Sequence, residues 1–79
     1  MNESFLGEPA YVATGLAFGA APPTAKLWLG QHTVAFKSTK GRYLEWTAQS
    51  PPDAAMLTLL ESLFGKDARK RIDRILEVR

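Results

Sequence analysis

The side chains able to do chemistry in this chain are few and far apart. His32 is its only histidine, and there is no cysteine. A metal site built on His32 would need a thiolate or a second imidazole beside it, or a cluster of carboxylates. The eight Asp and Glu residues are instead scattered along the chain. No serine sits in a nucleophile-elbow pattern, and no glycine-rich run resembles a phosphate loop. Gly15 and Gly19 have a GxxxG spacing, which in an Ala/Gly-rich stretch reads as close packing. The expectation is a protein with no catalytic residues, no metal and no cofactor, hence not an enzyme.

What remains is charge and apolar surface. Ten Lys and Arg against eight Asp and Glu leave a net charge of +2, which permits nucleic-acid binding without implying it. The positive charge is concentrated in two places. Lys37, Lys40 and Arg42 surround one glycine turn, where they can touch phosphate or an acidic partner, or simply blunt an exposed strand edge. Lys66, Lys70, Arg71 and Arg74 share one arc of a C-terminal helical pattern with Asp67 and Glu77. There an i,i+4 pair such as Arg69 with Asp73 accounts for part of the charge.

The stretch from Pro9 to Ala25 carries no charge but holds Tyr11, Val12, Leu16 and Phe18. If it is exposed, an apolar patch of that extent marks a protein interface; the alternative is burial within the monomer. Glu3 and Glu8 precede it where a signal peptide needs basic residues, and Gly15, Gly19, Pro22 and Pro23 interrupt it, so neither a signal peptide nor a membrane span is expected. The expected site of synthesis is the cytoplasm.

The elements that must position these residues follow from periodicity. A chain of 79 residues is expected to form a single domain over 1–79. It buries only about 60% of its unfolded surface and leans on copies or partners. Residues 1–8 read as a flexible tail. From Pro9 to Ala21 the pattern fits a short helix or an irregular strand, and Lys26–Leu29 a strand or a helix end. Val34 and Phe36 alternate with Ala35 and Lys37, and Leu44, Trp46 and Ala48 with Tyr43, Glu45 and Thr47, which predicts a β-hairpin over 33–48. Pairing Phe36 with Leu44 and Val34 with Trp46 leaves Thr39-Lys40-Gly41 as the loop, with glycine at its left-handed position.

Ser50-Pro51-Pro52-Asp53 is read as a serine-capped helix start, giving a helix over 51–64. Met56, Leu57, Leu59, Leu60, Leu63 and Phe64 fill an arc of about 160° on it. After Gly65, a second helix over 66–78 has a narrower stripe of Ala68, Ile72, Ile75 and Leu76, expected at the rim of the core or on a neighbour. The fold class is therefore α+β, a hairpin with a possible additional N-terminal strand or helix, packed against one or two C-terminal helices.

The run Lys40-Gly41-Arg42-Tyr43-Leu44-Glu45-Trp46-Thr47-Ala48-Gln49-Ser50, followed at once by an amphipathic helix, resembles the small head-to-tail joining proteins of tailed bacteriophages, the phage lambda W family. The likeness covers residues 33–64 and centres on Gly41-Arg42, the apolar residue at 44, Glu45, the aromatic at 46, Thr47-Ala48 and Ser50. It implies an α+β structural protein of the virion, made in the host cytoplasm. Such a protein binds the portal after DNA packaging, completes the head and offers the tail a docking surface, as a homo-oligomer in the particle and without contact with a membrane. Lys40 and Arg42 match by type, implying contact with portal or DNA. The family has a helix before its hairpin, whereas here Pro22-Pro23 breaks that region. The reading from another class is a small nucleic-acid-binding or host-protein-inhibiting module that uses the basic hairpin tip and the last helix.

Overall fold

A computed structural model of the chain describes residues 7–14 and 24–77. In chain order its elements are β1 (Tyr11–Thr14), β2 (Thr24–Leu29), β3 (Thr33–Lys37), β4 (Tyr43–Thr47), α1 (Ala54–Phe64) and α2 (Lys66–Leu76). The strands form an antiparallel sheet in the order β1-β2-β3-β4, so the protein is a small α+β domain.

The hairpin has the register expected from alternation, with Phe36 opposite Leu44 and Val34 opposite Trp46. Its loop is closed where Ser38 N–H donates to Arg42 O at 2.8 Å and Gly41 N–H to Ser38 O at 2.9 Å. Gly41 has φ +86°, a conformation that disfavours any residue with a Cβ. Phe36 and Trp46 lie on one face with their rings 6.4 Å apart.

Ahead of the hairpin, Lys26–Leu29 lies in a strand, and of the Pro9–Ala21 stretch the described part contains one, its residues beyond Thr14 lying outside the described residues. Tyr11–Thr14 pairs with Thr24–Leu29, placing Tyr11 opposite Leu27 and Ala13 opposite Ala25. Of the expected tail, residues 1–6 lie outside the described residues, and the Gly7 carbonyl accepts a hydrogen bond from Trp28 Nε1 at 3.1 Å. Ala10 N–H also donates to Leu27 O at 2.8 Å.

The helical half departs from expectation in two ways. First, the cap of α1 is Asp53, whose carboxylate accepts the Met56 N–H at 2.8 Å. Ser50 is used elsewhere: its N–H donates to Thr47 O at 3.1 Å and its O accepts Thr47 N–H at 3.2 Å, a turn that ends β4. Second, α2 is central to the core instead of peripheral. Ala68, Ile72 and Leu76 are 0%, 0% and 2% exposed, and the helix lies over β3 with β2 and β4 to either side. Gly65 alone joins the helices. At φ +98° it donates its N–H to Glu61 O and ends α1 while starting α2. α2 itself ends at Leu76, with Glu77 left-handed and its N–H donating to Asp73 O.

The core therefore lies between one sheet face and two helices. Leu27, Val34, Leu60 and Ile72 are its largest fully buried side chains, each contributing roughly 1.5–3 kcal/mol.

Candidate functional site

Two of the three hairpin cations stand at the tip: Lys40 and Arg42 are exposed. Lys37 does not join them. It is half-buried in the last β3 pair, with Tyr43 opposite it on β4 and Lys26 opposite it on β2, and neither Lys37 nor Lys26 lacks a partner. The tip is thus two solvated charges on a rigid turn. On the sheet face turned away from the helices, Tyr43 Oη donates to Glu45 Oε2 at 2.9 Å.

Partial withdrawal from solvent, and then that hydrogen bond and the nearby carboxylate charge, push the Tyr43 hydroxyl up to about 12. Because the folded state holds this proton more tightly than the ordinary value of 10, its contribution to stability is intact below pH 10 and is lost as pH rises toward 12. Titration of tyrosinate absorbance should show a step near 12 that is missing in Tyr43→Phe and moves to lower pH in Glu45→Gln. A profile that is the same in all three proteins would exclude the assignment.

The four assembly candidates from the N-terminal stretch separate. Tyr11 is half-buried and makes its contacts within the monomer. Its ring packs 6.4 Å from that of Phe64, its hydroxyl donates to Asp67 Oδ2 at 3.1 Å, and Arg71 donates back to it at 3.2 Å with its guanidinium over the ring. Tyr11 thereby clamps β1 to the first turns of α2. Strand alternation turns the neighbouring Val12 the other way, and it is 53% exposed. Leu16 and Phe18 lie outside the described residues.

The apolar surface that sequence reasoning missed is on α1. Leu57 and Leu60 are buried, but Leu59 and Leu63 are 44% and 37% exposed. An apolar arc of about 160° is wider than the roughly 100° stripe a surface helix needs for one core, and that excess was the available signal. The only charged residue of α1, Glu61, turns toward α2 and meets Arg69 at 3.5 Å, while Arg69 also holds Asp73 at 3.1 Å. The exposed side of α1 is consequently formed by Ala54, Ala55, Thr58, Leu59, Ser62 and Leu63, without a single charge.

His32 is exposed beside a shallow recess of about 170 Å³ that it lines with Ala48, Gln49, Ile75 and Glu77. Among the described residues no three His, Cys, Asp or Glu gather to hold a metal ion, and no helix is long and apolar enough to cross a membrane.

Comparisons with protein families, with curated proteins and with solved structures find nothing that matches this chain.

Proposed function

We propose that this chain is a non-enzymatic structural protein of a tailed phage or phage-like particle, acting at the head-tail junction by protein-protein assembly. The observation that carries the proposal is the uncharged outer side of α1, where Leu59 and Leu63 stand exposed at i,i+4 with Ala55 and Ser62 beside them. A surface helix ordinarily presents charge to water. One that does not is suited to meet another uncharged face, and a second copy of this helix supplies one.

Such a contact suits a ring of copies seated on a symmetric vertex, because each copy's small interface is repeated around the closure. An 11-residue helix is about 16 Å long and covers far less than the roughly 800 Å² per partner of a stable pair. The contact is therefore weak for two copies and cumulative for many. The segment that resembles the head-to-tail joining family folds as a hairpin followed by a helix, which supports the reading. Residues 24–29 form a strand where that family has a helix, so the support rests on 33–64 alone.

The test is the mass in solution, followed upward in concentration. Wild type should form multiples of 8.7 kDa with little response to salt, and Leu59→Glu/Leu63→Glu should remain monomeric with an unchanged circular dichroism spectrum. A wild-type monomer up to the solubility limit would overturn the self-contact. Deleting the gene tests the setting: filled heads without joined tails are required, and normal particles would refute the head-tail role.

A further inference from the structure

α2 carries five cations and two acids, and the fold disposes of them unequally. Asp67 is taken by the Tyr11 hydroxyl, and Asp73 by Arg69, which also reaches Glu61. Arg71 is committed to the Tyr11 ring and hydroxyl. Three cations, Lys66, Lys70 and Arg74, are exposed with no ion pair or side-chain hydrogen bond among the described residues. They stand at i, i+4 and i+8. With about 1.5 Å of rise per residue they form a row with steps of about 6 Å and a length of about 12 Å. Ile72 and its buried neighbours fix the opposite side of the helix against the sheet, so the row faces away from the protein on a rigid element.

A row of this kind matches an anion array that is itself linear and regular. Along one strand of duplex DNA the phosphates advance about 3.4 Å per nucleotide along the axis while turning around it, so successive phosphates lie about 7 Å apart. A protein surface, by contrast, intersperses its carboxylates with cations and has no repeat to follow. α2 has no aromatic residue and no Asn or Gln to stack on or read a base, and backbone contacts alone carry no sequence information.

We infer that Lys66, Lys70 and Arg74 form a sequence-independent site for the phosphate backbone of duplex nucleic acid, on the helix and not on the hairpin tip. The inference does not depend on assembly through α1. Three contacts make binding weak at physiological salt and steeply dependent on it.

The experiment measures anisotropy of a short labelled DNA duplex of mixed sequence against salt concentration, starting at low salt. Wild type should give a log-log slope of about −2.7, or about −0.9 for each phosphate neutralised. Lys66→Gln/Lys70→Gln/Arg74→Gln should abolish it, and Lys40→Gln/Arg42→Gln should leave it unchanged. Lys66→Glu guards against mere unfolding, because an acid in the first helical turn is favoured by the helix dipole. It should bind more weakly with a Tm no lower than wild type. A flat salt dependence in wild type, a triple variant that binds as wild type does, or a polyglutamate of matched charge that binds as tightly as DNA would each overturn the inference.

Discussion

Replacing Ile72 with alanine should destabilise the protein by about 2–5 kcal/mol, the usual cost of removing a fully enclosed branched side chain and leaving a cavity. Ile72 is 0% exposed and stands midway between Ala68 and Leu76 on the buried side of α2. The helix is pressed on the sheet at β3, so neither layer can collapse into the gap without separating from the other. A domain of 79 residues has about 4–12 kcal/mol of total stability, so the loss is a large fraction and the variant should be partly unfolded at physiological temperature. Urea unfolding measures it, as a fall in midpoint with an unchanged slope. Leu59→Ala is the matched control on the exposed side of α1 and should change stability by no more than about 0.5 kcal/mol. A loss below about 1 kcal/mol for Ile72→Ala would move α2 back to the rim of the core.

On the other side of the sheet, Trp28→Ala should cost about 3–5 kcal/mol. Trp28 is 5% exposed although it alternates with Leu27 and Leu29 and thus points away from both helices. It lies opposite Ala35, itself 3% exposed, and its indole N–H reaches back to Gly7 O. The chain leading into β1 is held to this face, so the sheet has a small second core. Trp28→Phe separates the two contributions: it keeps most of the apolar contact, loses the hydrogen bond, and should cost about 1 kcal/mol. Removing residues 1–9 should shift the Trp28 emission to the red. If Trp28→Ala behaves like a surface change, or the truncation leaves the emission where it was, this second core does not exist.

The two helices exchange the roles that their patterns suggest, and the reason is physical. α1 has the wider apolar arc, yet it leaves Leu59 and Leu63 in water. α2 is mostly charged, yet three of the four residues of its stripe, Ala68, Ile72 and Leu76, are buried. Lys and Arg at 66, 70 and 74 keep their charges outside while Ala68 allows the helix close to the sheet. A narrow stripe with a small residue in it can sit deeper than a wide one. The pattern of either helix read alone contains no information on which of them crosses the sheet.

The local features were legible for local reasons. Period-two alternation settled which faces Phe36, Leu44, Val34 and Trp46 occupy, because slipping the register by one would turn every apolar residue outward. Gly41 determined the turn, and Gly65 the break between helices, since both positions need a backbone that side chains with a Cβ resist. The α1 start was only half readable: Ser50 and Asp53 are both good caps, and the turn at Thr47 that occupies Ser50 decided between them. Tertiary structure alone decided the rest. Tyr11–Thr14 became a strand because Thr24–Leu29 was there to pair with it; the Tyr11 hydroxyl is held because Asp67 and Arg71 arrive from the other end of the chain; and the Trp28 indole N–H finds its acceptor at Gly7, 21 residues away. Alternation, caps and glycines are set by neighbours along the chain, whereas the burial of a given face depends on what the folded chain brings against it.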